Sequence, residues 1–187
     1  MTAVGALLAM VGTYLCLLLM VLTSRLPWVE RAMGHDKMVF WHRKLAPYSL
    51  FLIGLHVVFT TLGYAQRFNV SLVNRFVGMV QTFPWMLPAL VSVLLMIALG
   101  ISSYRRVRSK LKYETWAVAH LYFYIAVALG FGHQIESGTL LAGAPVLKGV
   151  WIGLYVLVAA VILVSRFALP IAFSIRHQLR VASVVEE

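Results

Sequence analysis

Residues 113–135, YETWAVAHLYFYIAVALGFGHQI, form an uncharged apolar stretch, apart from Glu114, that carries His120 and His133. A helix needs about 20 such residues to cross a hydrocarbon core of about 30 Å. Ionisable side chains inside that core mark a functional site by default, because they are costly there. A second apolar stretch, WHRKLAPYSLFLIGLHV, holds another pair, His42 and His56. We interpret the two stretches as paired membrane-spanning helices that carry the function.

The composition outside these stretches is also that of an integral membrane protein. Of the 187 residues, 61% are hydrophobic and 12% are charged, whereas about 25% are charged in a typical soluble domain. Five runs lack Lys, Arg, Asp and Glu, and the last is extended by residues 167–175: residues 1–24, 45–66, 76–104, 115–135 and 149–165. We expect an all-α bundle of about five transmembrane helices.

The net charge of +10 is distributed unevenly between the two ends of these spans. Of the 16 lysines and arginines, all except Arg67, Arg75 and Lys148 follow the first, third or fifth span. Loops rich in Lys and Arg stay in the cytoplasm. The pattern therefore predicts a plasma-membrane protein with its N-terminus outside and its C-terminus in the cytoplasm, in contact with lipid and not with nucleic acid.

The two histidine pairs have matching depths in the membrane. His42 and His56 are 14 positions apart, which is about 21 Å along a helix with side chains about 40° apart in direction. Both His-bearing spans run from inside to outside according to the charges. We therefore predict an inner pair, His42 with His120, and an outer pair, His56 with His133.

The second pair does not fit an ideal helix as well as the first. His120 and His133 are 13 positions apart, so their side chains differ by about 140° in direction. Gly130 and Gly132 precede His133 and predict a local distortion of the helix. In the other span, Gly54 would let a flat ring approach closely.

Paired histidines at two depths are typical of axial ligands of haem iron. Zinc is a poor alternative, because ligands separated by most of the bilayer cannot share one ion. The chain has a single cysteine, Cys16, and no C-x-x-C-H motif, so a haem would be held without covalent attachment. We predict two haems, with the four histidines as ligands of their iron.

Two further features concern charged groups at the membrane surface. Arg67 and Arg75 in the outer loop could bind haem propionates, since guanidinium pairs bidentately with carboxylate; lipid headgroups are the alternative. The basic loop YRRVRSKLK after the third span is suited to anionic lipid or to docking of an electron-donor domain. No residue is assigned a catalytic role.

The His-x13-His and His-x12-His pairs, together with GHDKMVFWHRKLA and LKYETWAVAHLYFY, resemble the ferric reductase-like transmembrane domain shared by ferric reductases, NADPH oxidases and their bacterial relatives. The resemblance implies two b-type haems ligated by His42, His56, His120 and His133. It further implies an oxidoreductase that passes electrons from NADPH and FAD in a cytoplasmic reductase domain through the inner and outer haems. The acceptor would be oxygen or ferric iron outside.

The resemblance also implies a division of the chain. We expect residues 1–175 to form the transmembrane dihaem domain and residues 176–187 to form a cytoplasmic tail that begins a flavin- and NADPH-binding domain absent from this chain. FAD and NADPH would bind only to that domain or to a partner subunit. The stretch RHQLRVASVV has the alternation of a β-strand.

Two departures from the family bear on the acceptor. Oxidases of the family generally have six spans, whereas five are expected here. Oxygen-reducing members also tend to have a histidine one turn beyond the outer ligand and an arginine on a neighbouring helix. This chain has Thr60 at that turn and no arginine within its first span. Reduction of oxygen is therefore a weaker expectation than electron transfer.

Two other functions remain open at this point. The first is a quinol-linked dihaem cytochrome that feeds an extracytoplasmic reductase, for which rapid reduction by a quinol would be expected. The second is a haem-binding sensor or transporter subunit with one labile haem.

Overall fold

The computed structural model describes residues 1–177, and in this part the chain is helical with no strand. Five of its helices are long and apolar enough to cross a membrane, which confirms the predicted all-α bundle. The helices are α1 Thr2–Leu22, α2 Pro27–Met33, α3 His35–Phe68, α4 Leu72–Thr82, α5 Met86–Ser103, α6 Arg105–Arg108, α7 Tyr113–Ser137, α8 Thr139–Ala142, α9 Pro145–Leu163 and α10 Leu169–His177, with a π-helical turn at Val164–Ala168 between the last two.

Two helix pairs, α1 with α3 and α5 with α7, form the most extensive contacts of the bundle. Glycines bring α1 close to α3, since a Cβ on Gly5 would lie 2.5 Å from Thr60 Oγ1 and one on Gly12 would lie 2.9 Å from Ile53 Cγ1. Small residues allow such close approach between membrane helices. One core cluster joins all five spans and consists of Cys16, Leu17, Ile53, Met96, Ala126, Val127 and Val158.

The second span begins earlier than the sequence predicted. We expected a loop over residues 25–38 and a helix from about residue 40, but α2 occupies part of that loop and α3 starts at His35. Pro27 suits the first position of α2, where its missing N–H is not needed. Gly34 has a φ of 82° and separates the two helices. Pro47 lies within α3 without ending it.

The polar stretch after residue 64, which we expected to be an outer loop, is largely helical. α3 continues to Phe68 and is ended by Asn69 in the left-handed conformation. Ser71 then caps α4, because its Oγ accepts from the backbone N–H of Asn74 at 3.3 Å. Met79 is the buried residue of α4, while Val73 is exposed. The sequence analysis missed α4 because polar residues separate its apolar positions.

The fifth span continues through Pro170, within the residues 167–175 by which the sequence extended the last apolar run. A proline ring clashes with the carbonyl four residues earlier, here that of Arg166. The π-helical turn includes Arg166 and widens the helix at that carbonyl, so the chain continues as α10. Residues 176 and 177 are helical, so the predicted strand is wrong there. Residues 178–187 of the predicted cytoplasmic tail lie outside the described residues.

Candidate functional site

The structure brings the four histidines together in the two predicted pairs. The ring centroids of His42 and His120 are 6.2 Å apart, with ring planes at 75°. Those of His56 and His133 are 6.5 Å apart, with planes at 52°. An imidazole nitrogen binds a metal ion at about 2.0–2.1 Å and lies about 1.1 Å from its ring centre, so ligands on opposite sides of one ion have ring centres about 6.3 Å apart. Both pairs are close to that spacing.

Each pair consists of two candidate ligands, and no third one lies beside it in the described part of the chain. Within residues 1–177, no three His, Cys, Asp or Glu side chains form a group that could hold a metal ion. Two opposed imidazoles leave the positions around the ion to other donors. A porphyrin would supply four nitrogen donors, so each histidine pair would complete the ligand set of one haem iron.

The distortion predicted before His133 is absent, because α7 is an uninterrupted α-helix. The glycines there serve packing instead. A Cβ on Gly132 would lie 2.6 Å from the Trp85 ring, and one on Gly130 would lie 3.3 Å from Ser92 Oγ. The rings of His56 and His133 therefore come together without a break in α7.

A largely apolar cavity adjoins the outer pair. His56 and His133 line it together with residues from α1, α4, α5, α8 and α9. The cavity occupies the space beside α3 and α7, whose main packing partners are α1 and α5 rather than each other. An apolar cavity with a few converging polar groups is the usual form of a cofactor site. At Gly54, a Cβ would meet nothing within 4 Å.

A backbone carbonyl fixes the tautomer of His56. Its Nδ1 lies 2.9 Å from the carbonyl oxygen of Gly5 and 3.2 Å from Thr60 Oγ1. A carbonyl oxygen only accepts, so Nδ1 carries the proton and Nε2 keeps its lone pair. Metal-binding histidines usually donate their other N–H in this way. Thr60, the residue at which the sequence departs from the oxidases, thus contacts the ring of the outer histidine.

A serine does the same for His120. Ser103 Oγ donates its single hydrogen to the Leu99 carbonyl at 2.9 Å. It accepts from Trp116 Nε1 at 3.2 Å, and it lies 3.4 Å from His120 Nδ1. Since the serine hydrogen is already used, His120 Nδ1 must be the donor in the last contact. The lone pair of His120 is therefore on Nε2, free to bind a metal ion.

The other member of each pair lacks such support. The Nδ1 atoms of His42 and His133 are buried and make no hydrogen bond of normal geometry within the described chain. A buried polar atom without a partner costs free energy and points to a functional role. Each pair thus combines one imidazole whose Nδ1 is hydrogen-bonded with one whose Nδ1 makes no such bond.

The two outer arginines have different surroundings. Arg75 is half-buried among three aromatic rings, with its guanidinium carbon 4.5 Å from the Phe68 centroid, 5.0 Å from Tyr64 and 5.6 Å from Phe83. Tyr64 and Phe83 also line the outer cavity. Arg67 is exposed and lies 6.0 Å from the Phe68 centroid. The structure therefore places Arg75, and not Arg67, near the cavity.

Gln134, next to the outer histidine, joins three spans. Its Oε1 accepts from Trp151 Nε1 at 2.8 Å and from the Tyr155 hydroxyl at 3.3 Å. Its Nε2 donates to Thr13 Oγ1 at 3.4 Å. The sequence analysis did not identify this residue, because its partners on α1 and α9 are far away along the chain.

Replacing Gln134 by leucine is expected to destabilise the bundle by about 2 kcal/mol, since three interhelical hydrogen bonds at about 0.6 kcal/mol each are lost and two donors remain unpaired. The midpoint of thermal unfolding in detergent should fall by about 4–8 °C for a chain of this length. Gln81→Leu, at an exposed position of α4, is the control and should leave the midpoint unchanged. Equal midpoints for the two variants would show that the network contributes nothing.

Five apolar spans with two facing pairs of histidines define a helical membrane protein with two histidine pairs between its helices. The chain belongs to the ferric reductase-like transmembrane component family, which matches residues 8–131. The matched segment includes His42, His56 and His120 and stops just before His133. No curated protein and no solved structure matches the chain. Family membership indicates a role in electron transfer across the membrane.

Proposed function

We propose that this chain is the membrane component of an oxidoreductase and carries electrons across the bilayer by means of two haems b. The inner haem would be held by His42 and His120, and the outer haem by His56 and His133. The spacing of the ring centroids, 6.2 and 6.5 Å, is the observation that carries this proposal. It matches two opposed ligands on one ion at each of two levels.

The residues of the chain prepare the ligands for this role. Gly5 and Ser103 keep the proton on Nδ1 of His56 and His120, so that Nε2 is available on one ligand of each pair. Haem iron held by two histidines supplies one-electron chemistry. The largely apolar lining of the outer cavity would limit the access of water to His56 and His133.

Two sites at different depths suit transfer across the whole membrane. Positions 42 and 56 are separated by about 21 Å along α3, which is most of a hydrocarbon core of about 30 Å. Either site alone would reach only one surface. Two sites in sequence divide the distance into shorter steps, and the rate of electron tunnelling falls exponentially with distance.

The distribution of charges supports one orientation of the chain in the membrane. All lysines and arginines except Arg67, Arg75 and Lys148 lie after the ends of α1, α5 and α9 or in the segments that follow, which supports a cytoplasmic location for that end of the bundle. We infer a plasma-membrane protein whose donor is a cytoplasmic NAD(P)H- and FAD-dependent reductase. Its acceptor would lie outside and would be oxygen or a ferric complex. Residues 1–175 would be the dihaem domain, and residues 176–187 would lead towards the reductase.

Arg75 is the better of the two candidates for a propionate of the outer haem. Its guanidinium is beside the cavity, and its Nε is buried without a partner in the described part of the chain. A carboxylate would satisfy that donor. Arg67 is exposed and would bind a propionate only from the surface.

The test of the proposal is a haem assay on the detergent-purified chain and on four single His→Ala variants. We expect a pyridine haemochrome typical of haem b and two haems per chain. Replacement of His42, His56, His120 or His133 should reduce the content to one haem or none. His35→Ala is the matched control, because His35 is exposed and pairs with Glu30 at 3.4 Å rather than with another histidine. A chain without haem, or full haem content in the His56 and His133 variants, would refute the proposal.

A further inference from the structure

The ring of His120 is held between two other aromatic rings of α7. The Trp116 ring centroid lies 5.0 Å away and the Phe123 centroid 6.2 Å away, and both rings are inclined by 24° to the imidazole. Offset stacking of this kind favours one ring orientation. The plane of His120 is therefore constrained on both faces.

Trp116 also reaches the edge of the same imidazole through Ser103. The indole N–H and His120 Nδ1 both lie within hydrogen-bonding distance of Ser103 Oγ. Rotation of the imidazole would break its contact with Ser103 and its stacking with Trp116 at the same time. The indole thus acts on the face and, through the serine, on the edge of one ring.

The outer face of Trp116 is covered by a cation. The guanidinium carbon of Arg108 lies 4.5 Å from the indole centroid, and Arg108 also donates to the Leu111 carbonyl at 3.1 Å. A cation over the face of a tryptophan ring is attracted by the negative charge of that face. Arg108 therefore anchors Trp116 to the loop that precedes α7, and Trp116 in turn restrains His120.

The other three histidines have no comparable support. His56 is held at one nitrogen by the Gly5 carbonyl and Thr60. His42 and His133 make no hydrogen bond of normal geometry at Nδ1 in residues 1–177. The inner pair is also the more strongly crossed, with planes at 75° compared with 52° for the outer pair. The restraint acts on the pair whose geometry is the more extreme.

We propose that Trp116 is a positioning residue that, with Ser103 and Arg108, keeps the His120 ring crossed with His42 and its lone pair directed at the inner site. This inference rests on the proposed function, since it concerns a ligand of the inner haem. Removal of a residue that hydrogen-bonds to a metal ligand usually weakens binding of the metal by about 10- to 100-fold.

The angle between two axial imidazoles has a spectroscopic signature. In ferric low-spin haem, crossed planes bring two iron d orbitals close in energy, which gives a strongly anisotropic electron paramagnetic resonance signal. Parallel planes give a rhombic signal. The signal that is present in the unsubstituted chain and absent from His120→Ala belongs to the inner site. The position of that signal then reports the orientation of the His120 ring.

The experiment compares Trp116→Leu, Trp116→Phe and Tyr122→Leu in the full chain with both haems. Tyr122 is an exposed aromatic residue of the same helix and serves as the control. In Trp116→Leu we expect the inner signal to move towards the rhombic type and the inner haem to transfer to apomyoglobin at least about 10-fold faster. Trp116→Phe keeps a stacking face and should shift less. The outer signal should not change.

The outcomes separate the two proposals. If the unsubstituted chain shows no low-spin haem signal, the proposed function is wrong and this inference fails with it. If both signals are present and Trp116→Leu behaves as Tyr122→Leu does, the positioning role alone is wrong. Should Trp116→Leu fail to fold, Trp116→Phe decides: an inner signal and a haem transfer rate identical to those of the control would overturn the role.

Discussion

A Gly5→Val variant is expected to lose the outer haem and keep the inner one. A Cβ at this position would lie 2.5 Å from Thr60 Oγ1, 3.1 Å from the Thr60 backbone nitrogen and 3.4 Å from the His56 carbonyl. Two of these atoms belong to the backbone of α3, so a side-chain rotation cannot relieve the contact. The two helices must separate, and the hydrogen bond from His56 to the Gly5 carbonyl is then lost.

The expected destabilisation is about 1–3 kcal/mol, the usual result of overpacking a tight contact. The loss of haem should exceed what a destabilisation of this size alone would cause, because α1 both packs on α3 and orients His56. Gly5→Ala should give a smaller change in the same direction. The inner pair is at the opposite end of α3 and should keep its haem.

Haem content and reduced-minus-oxidised spectra of the purified variants provide the measurement. Gly153→Val is the matched control, since a Cβ on Gly153 in α9 would meet nothing within 4 Å. One haem per chain in Gly5→Val and two in Gly153→Val are expected. Two haems in both variants would show that the contact between α1 and His56 does not support the outer site.

The bundle could be predicted from the sequence because a long apolar run has few possible structures other than a membrane-spanning helix. The five spans follow from the absence of charge over about 20 residues, and the histidine pairs follow from equal depth. The boundaries of the helices were less predictable. α3 extends at both ends into polar residues, and α4 was missed, because Asn69 and Ser71 cap two helices where composition alone indicates a loop.

The supports of the histidines could not be predicted, for a physical reason. His56 is oriented by the backbone carbonyl of Gly5. Every residue has such a carbonyl, so the sequence contains no signal for this contact. Ser103 lies 17 positions from His120 on another helix, and the sequence contains other serines with no such role. The pairing of His133 with His56 was predicted, but the distortion expected before His133 is absent, because the two rings come together without a break in α7.

Loss of either histidine level is expected to stop electron transfer across the membrane while leaving the other level reducible. In His56→Ala only the inner site would remain, and in His42→Ala only the outer one. The remaining site would face a gap of about 21 Å along the helix axis to the missing level, more than half of the hydrocarbon core of about 30 Å. Tunnelling over that distance is too slow to support turnover.

The measurement uses proteoliposomes with ferricyanide trapped inside and dithionite, which does not cross the bilayer, added outside. The unsubstituted chain should bleach the internal ferricyanide whichever way it is inserted, because both levels are needed in either direction. Transfer in His56→Ala and His42→Ala should fall to that of protein-free vesicles, although dithionite still reduces the haem that remains. His35→Ala should transfer at the full rate. Transfer by His56→Ala at the unsubstituted rate would mean that electrons cross without the outer pair, and the two-level mechanism would have to be abandoned.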